Sequence, residues 1–508
     1  MTKITNLYGH VFLILIAFFA VVLPPVSASN WYVDGDAVGT NDGTSWQNAW
    51  TGFGSVVWGV SGVKAGDTLF ISGGSPSKTY SETLKVGTSG SSSSPIVIKA
   101  GQNKDHNGVV TFSGAGIDLN QKSDITVDGN YDNQNHILFT GADIGITNGT
   151  NGHMINNIDF DKVGMGININ GVLNEIHHCS LSNVNGGTHE WAAIRLSGGA
   201  PQFDQNKIHD NYISILSGQG NGYGPDGIQT SSGLSVYNNI ITAEKATTSL
   251  LTPEHPDFLQ AGGSNFLKVY NNEFRNVADA AIQLGVWFDH AYNNVWIYNN
   301  IFRIVDQIDG YPEYIRLYAG PGKILSIDNL KILNNTFVDN SDKYLPIRIM
   351  GYAANPTGSG NEIKNNIFYN MGTSASFPVV HIEESTGWTE ASWTFSNNIY
   401  YGTSGLPYIF FRGQSYTIPQ WKDSNEPSAI TSAPKFMSYV PNELTNDFHL
   451  TSGDTVARDK GIDLGAYFTT DKDGVIRAEG IAWDIGAYEA SSVSTPSSDK
   501  APPGNLTN

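Results

Sequence analysis

The residue types with chemistry to offer gather between Gly224 and Gly263. Asp226-Gly-Ile-Gln229 and Asp257-Phe-Leu-Gln260 stand 31 positions apart, and Glu313-Tyr-Ile-Arg316 repeats the pattern further on. Two carboxylates brought side by side repel, so one pKa rises unless a cation sits between them. Two chemistries use such a pair. In one, Asp226, Asp257 and Glu254 ligate Ca2+ through carboxylate oxygens. The ion then neutralises a uronate carboxylate, and a base (Arg316, with Lys268 and His255 as alternatives) removes the C5 proton for β-elimination. In the other, Asp226 and Asp257 act as general acid and base on a glycoside, and their separation decides retention or inversion. The plainer reading makes both residues turn caps bonded to backbone amides, as Asp often is before Gly. Against it stand the Pro before each Asp and the insertions at 217–225 and 244–256. Insertions gathered on one edge of a solenoid mark its binding face.

The elements that must position these groups form a repeat. An Asn-Asn or similar pair precedes a short apolar run at Asn157, Cys179, Asn211, Asn239, Asn272, Asn300, Asn335, Asn366 and Asn398, in steps of 22 to 35 residues. Alternating segments such as Leu267-Lys-Val-Tyr270 lead into the corner, apolar at every second position. The pattern predicts a solenoid of short strands, one turn per repeat, with equivalent residues stacked about 4.8 Å apart. Asparagine suits the corner because it tolerates the left-handed region and its amide bonds to the coils above and below, forming a ladder. Cys179, the only cysteine, holds a ladder position as a small core residue, and no internal disulfide exists.

A second column lies between the corners. Its third member (Ile194, Ile228, Leu259, Ile282, Ile315, Ile347, Val380) is always aliphatic and points inward. Period-2 alternation then turns the fourth member outward. The result is a file of Arg195, Gln229, Gln260, Gln283, Arg316, Arg348 and His381, suited to binding an anionic polymer. Trp287, Tyr292, Tyr318, Tyr352 and Trp388 follow this column as candidate platforms for sugar rings. Trp287 is taken as a substrate-binding residue. His189-Glu190-Trp191 and Asp289-His290 are weaker acid/base candidates, each more simply read as loop.

Composition bounds the rest. Residues 1–28 read as a secretory signal, with Lys3, an apolar core from Val11 to Leu23 and a Val26-Ser-Ala28 cleavage site. No later stretch is long and apolar enough to span a bilayer. The expectation is a secreted monomer, extracellular or periplasmic. A net charge of −19 disfavours nucleic acid and anionic membranes as partners. Residues 29–490 read as one domain, with an N-terminal cap over 29–66, including a short helix near 54–60. Closing strands are expected over 420–490, built on Asp463-Leu-Gly-Ala-Tyr467 and Asp484-Ile-Gly-Ala-Tyr488. Residues 491–508 form a Ser/Pro-rich tail without apolar periodicity.

The Asn ladder, the opening Trp31-Tyr-Val-Asp34 with Asn41-Asp-Gly-Thr-Ser-Trp46, and the closing Asp484-Ile-Gly-Ala-Tyr-Glu489 carry a resemblance. Over residues 31–490 the chain resembles secreted bacterial proteins of the right-handed parallel β-helix (pectate-lyase-like) superfamily. The resemblance implies an all-β, right-handed parallel β-helix solenoid capped at both ends, and a role with carbohydrate. That superfamily includes lyases, hydrolases, epimerases and non-catalytic adhesins, so the reaction is not implied by the fold. The acid column is similar to calcium-dependent pectate lyases. Their Lys base lies in a Gly-Phe-Lys-Leu-Gly-Gly-like line, whereas the lines here read Ala-Ile-Gln283-Leu-Gly and Tyr-Ile-Arg316-Leu-Tyr. The Asn-Thr-Asp and Gly-His-Gly signatures of polygalacturonases are absent. The expectation is a polysaccharide lyase on a uronate polymer. The alternatives are a glycoside hydrolase using Asp226 and Asp257, or a non-catalytic carbohydrate-binding surface.

Overall fold

The computed structural model describes residues 28–490 apart from 186–191, 199–201, 218–224, 231–232, 246–255, 264, 286–289, 305–312, 320–324, 339–344, 352–357, 372–375 and 384–391. The secretory signal (but for Ala28) and the tail at 491–508 therefore lie outside the described residues. So do His189, Glu190, Trp191, Glu254, His255, Trp287, Asp289, Tyr352 and Trp388.

Three long sheets of 13, 12 and 13 strands wrap one apolar core. The chain visits them in turn, for example through Asn265–Tyr270, Glu273–Arg275 and Ala280–Leu284, before returning to the first at His290–Tyr298. Each strand pairs in parallel with its equivalent one coil on. The fold is a parallel β-helix. Its strands alternate apolar and polar positions, so one residue in two is sealed inside: Leu267 and Val269 are fully buried, as are Ile282 and Leu284.

The Asn corner is a pair of residues with divided tasks. The first takes a positive φ (Asn238, Asn271, Asn299, Asn334, Asn365 and Asn397 lie between 50° and 58°). The second is buried and bonds along the axis. Asn300 accepts from the backbone N–H of Asn272 at 2.9 Å, and its own amide donates to the carbonyls of Val269 and Tyr298 and to Asn335 Oδ1. The ladder runs from Cys179, whose N–H donates to Asn211, to Asn398. Asn157 is not a rung. Asp159 pairs with Ser180, so Asn157 matches His178 and holds the positive-φ place, and Ile158 stands opposite Cys179. Beside the ladder, Phe274, Phe302, Phe337, Phe368 and Tyr400 stack at 4.7 to 5.3 Å between ring centroids.

The two ends are closed differently from expectation. At the N-terminus Trp31 stacks on Trp50 at 5.3 Å, and Phe53–Ser55 makes one 3-10 turn in place of a helix near 54–60. At the other end, a hairpin of Tyr408–Phe411 and Gln414–Thr417 leads into the helix Ile418–Ser424, whose Trp421 is buried against Phe395 and Phe411. Glu426 then terminates the ladder, accepting both the N–H and the amide of Asn398 at 2.9 Å. The 463–467 and 484–488 duplication forms turns and irregular chain, not strands. It lies along the Asn corner, where the Asp484 and Gly486 carbonyls accept from Asn334 and the carbonyl of Ile462, just before it, accepts from Asn365. Asn365 also donates to Asn334 Oδ1 at 3.1 Å, and the backbone segment laid over the pair takes up the remaining amide hydrogens.

Candidate functional site

The third sheet carries the candidate residues, and a bend near the start of several of its strands decides how they face. In the line Asp226-Gly-Ile-Gln229 the register runs from Ala192↔Asp226 straight to Ile194↔Ile228, skipping the second member. The same skip separates Ala280↔Glu313 from Ile282↔Ile315. Both second and third members are sealed inside: Phe258 with Leu259, Ala281 with Ile282, Tyr314 with Ile315. Strict alternation is therefore broken at the corner, and the first and fourth members share one outer side. Gly227 sits where this corner is tightest, since a Cβ there would meet the Phe258 carbonyl at 2.5 Å.

The expected file forms. Arg195, Gln229, Gln260, Gln283, Arg316, Arg348 and His381 are register partners on consecutive coils. Arg195 is exposed, Gln229 and Gln260 are half-buried, and the Arg316, Arg348 and His381 side chains keep 20%, 29% and 20% of their surface. Gln283 departs from the outward reading. It is 2% exposed because Arg316 lies across it, with Arg316 Nε donating to Gln283 Oε1 and the Gln283 amide to the Gly285 carbonyl.

The acids of the first column lie beneath this file. Asp226 is 5% exposed and Asp257 1%. Asp226 Oδ1 accepts the Asp257 backbone N–H at 2.9 Å and Oδ2 accepts the Gln229 amide at 2.8 Å. Asp257 accepts Arg316 Nη2 at 3.2 Å and the Gln260 amide at 3.4 Å. Asp279, which the sequence reading passed over, takes the Arg316 fork on both oxygens, at 3.0 and 2.6 Å. Its signal was local: an acid one residue ahead of the Ala280-Ala-Ile-Gln283 line, in a place no column covered. Glu313 is 3% exposed and holds Arg348 Nη1 through Oε1.

Four carboxyls thus face two guanidiniums. Burial, aided by the neighbouring Asp279 and Asp226, pushes the Asp257 pKa well above the usual carboxylate range despite Arg316. Burial also raises Glu313, against the pull of Arg316 and Arg348. For Arg316, burial opposes the charge but Asp257, Asp279 and Glu313 outweigh it, so its pKa rises. A guanidinium held charged this firmly cannot take a proton, so Arg316 is not the base. Lys268 is not either: it lies on the first sheet, bonded to Asp204 at 3.3 Å and over the Phe203 ring.

A titratable ring with no acid of the column on it lies at the end of the file. His381 Nε2 bonds Glu383 Oε1 at 3.0 Å. Burial lowers its pKa, Arg348 lowers it further and Glu383 opposes both, so the ring is neutral at pH 7. The sequence placed His381 in the file but assigned it no role, because Glu383 lies outside the column. Tyr292 is no sugar platform: it is fully buried, with its hydroxyl donating to the Ala261 carbonyl and accepting the Gly263 N–H.

The calcium expectation meets this donor set directly. The oxygens of Asp226 and Asp257 are taken by a backbone N–H, two amides and a guanidinium. A hard cation would have to displace these donors and sit against Arg316, so the described residues do not fit Ca2+. No three His, Cys, Asp or Glu side chains converge as a metal set among the described residues. No helix there is long and apolar enough to cross a membrane.

The chain matches no family model and no curated protein. Among solved structures, a family 6 alginate lyase is 13% identical, with 78% of this chain and 56% of that one covered and a TM-score of 0.37. The chain therefore spans little more than half the length of that protein. A mannuronic-acid-specific family 6 polysaccharide lyase from the human gut microbiota is 14% identical, covering 74% and 84%, with a TM-score of 0.39. A rhamnogalacturonan lyase is 13% identical, covering 84% and 97%, with a TM-score of 0.41. The parallel β-helix of this chain stands on its own strand register.

Proposed function

We propose that the protein is a polysaccharide lyase that cleaves an anionic, uronate-containing polymer by β-elimination. The stack of Arg316, Arg348 and His381 on three consecutive coils, partly open to solvent, carries this reading. Arg348 has Nη1 on Glu313 and its Nε without a partner among the described residues. Nε is buried, and the part of the guanidinium open to solvent, within a side chain 29% exposed, is what a uronate carboxylate would meet, a charge-assisted contact that makes that carboxylate a better electron sink. Arg316, locked on Asp257 and Asp279, fixes the field beside it.

His381 is the base in this scheme. With Nε2–H donating to Glu383, the free lone pair is on Nδ1. Nδ1 takes the C5 proton, the C5–H electrons form the C4–C5 double bond, and the C4–O4 bond breaks. The departing O4 takes a proton from solvent water, and the proton on His381 is returned to solvent. Asp226 and Asp257 support the file from below as positioning residues. The hydrolase alternative has less to work with, because both carboxyls are buried and bonded to protein donors.

Polygalacturonate, alginate and glycosaminoglycans, each offered in turn, provide the test. The ultraviolet absorbance of an unsaturated product on one of them is the expected result. New reducing ends without that absorbance would make the protein a hydrolase, and polymer bound without any product a binding surface. The signal at 1–28 would make the enzyme an exported one, so the exported chain should begin at Ser29.

A further inference from the structure

The outward file does not begin at Arg195. Register partners carry it back through Asn168, Thr147 and Asp118 to Lys85, the outward residue of the first short strand of the third sheet. All four are half-buried or exposed. At this far end a cleft of about 470 Å³ is lined by Lys85, Asp118, Asn120, Gln121, Lys122 and Asn148. Its polar groups are arranged by backbone turns: Asn120 and Gln121 both take positive φ, and Asp118 Oδ1 accepts the Asn120 N–H at 2.8 Å and the Asn148 amide at 3.0 Å.

Lys85 and Lys122 form no ion pair among the described residues, whereas Lys78, Lys99, Lys331 and Lys364 all do. What sets these two apart is their place: both line the cleft at the end of the outward file, where Asp118 is the only acid of the lining and its Oδ1 is already bonded to the Asn120 N–H and the Asn148 amide. Nine register steps separate Lys85 from Arg348. At about 4.8 Å each, the span is about 43 Å. Between the two cationic ends the file is mostly Thr, Asn and Gln, hydrogen-bonding groups without charge that suit sugar hydroxyls.

We propose that the Lys85/Lys122 cleft is a distal subsite for carboxylates of the same polyuronate chain, which lies along the solenoid axis on the third sheet. The proposal rests on the lyase reading for the identity of the polymer. It adds that the enzyme engages long chains internally and holds them well away from the scissile bond. Ammonium groups suit this task, since a compact, rotatable charge accepts a carboxylate in many orientations whereas the Arg348 fork demands one.

The experiment pairs Lys85→Glu with Lys122→Glu and compares it with Lys104→Glu plus Lys460→Glu, an equal charge change at exposed sites, one in the loop between the first and second sheets and one beside the Asn corner. Affinity electrophoresis through polygalacturonate or alginate reads binding without requiring turnover. The Lys85/Lys122 variant should bind the polymer about five-fold or more weakly at low ionic strength, with the difference shrinking as salt rises. The control pair should match the wild type. In turnover, KM should rise on polymer with kcat unchanged, and a uronate trisaccharide, too short to reach the cleft, should show no change. Equal binding by the variant and the wild type would overturn the distal subsite, as would equal losses on polymer and trisaccharide. Polymer binding that depends on Lys85 and Lys122 in a protein without lyase activity would instead sink the lyase reading and leave the subsite standing.

Discussion

Arg348 and Glu313 form an incomplete ion pair across one coil. Arg348 Nη1 donates to Glu313 Oε1, yet Arg348 Nε and Glu313 Oε2 are both buried without a hydrogen-bond partner among the described residues. Glu313 Oε2 faces Arg316 Nε at 3.9 Å, too far for a hydrogen bond, so Glu313 lies between the two guanidiniums and its side chain is bonded to Arg348 alone among the described residues. Arg316, by contrast, is spent on Asp279, Asp257 and Gln283. The two guanidiniums are neighbours in the file but not equivalents.

Arg348→Ala should lower kcat/KM on the polymer about 10²–10³-fold, the loss expected when a preorganised donor to developing negative charge is removed. Arg348→Lys keeps the charge without the fork and should recover only part of it. Product absorbance measures both. Wild-type turnover by the Ala variant would remove Arg348 from the site.

The acid limb of the pH–rate profile should report His381. A base must be unprotonated, so kcat/KM should fall as pH drops through its depressed pKa, below the ordinary 6.5, and hold above it. Glu383 raises that pKa, so Glu383→Gln should move the limb to still lower pH. A limb that does not move in Glu383→Gln would disconnect the profile from this pair, and full activity in His381→Gln would dismiss the base.

Asp257→Asn should be tolerated far better than a catalytic acid would be. Burial already favours its neutral form, and an amide can still accept from Arg316. A loss within about tenfold in kcat is expected from misplacing Arg316, and EDTA should leave wild-type activity in place. Complete loss in Asp257→Asn would restore the hydrolase, and abolition by EDTA would restore a calcium ion.

Asn300→Ala should destabilise the solenoid by about 2–4 kcal/mol, because Val269 and Tyr298 carbonyls and the Asn272 N–H lose their buried partner. Thermal unfolding would read it. An unchanged midpoint would mean that the ladder follows from the fold without stabilising it.

The C-terminal segment should loosen in alkali. His449 bonds Asp447 at 2.5 Å and Asp473 at 3.0 Å, and although burial opposes the charge these two acids raise its pKa to about 9. A raised pKa contributes stability that is whole below 6.5 and is lost as pH climbs through about 9. After allowance for solvent screening the contribution is about 2 kcal/mol. Protection factors across 436–490, with the intrinsic rise of exchange with pH divided out, should therefore fall above that pH in the wild type, and His449→Gln should remove that fall. Wild-type protection factors that stay constant through that pH would refute it.

What the sequence determined by itself is the part of this protein written as a period. A rung every 28 to 35 residues, Asn300 and its equivalents, admits one geometry, since only a stacked coil gives each buried amide its partners. The file from Arg195 to His381 follows from the same period, because a residue's face is set by its distance from an aliphatic neighbour. What the tertiary structure alone decided is everything that breaks the period. The bend after Asp226, Asp257 and Glu313 turned first and fourth members to one side and buried the acids under the file, which alternation could not foretell. Asp279, Glu383 and the segment laid over Asn334 and Asn365 act from outside the repeat, and their reach is a matter of space, not of spacing. Whether a carboxylate is neutral, or an arginine free to bind, depends on which charges surround it, and only the folded chain assembles those.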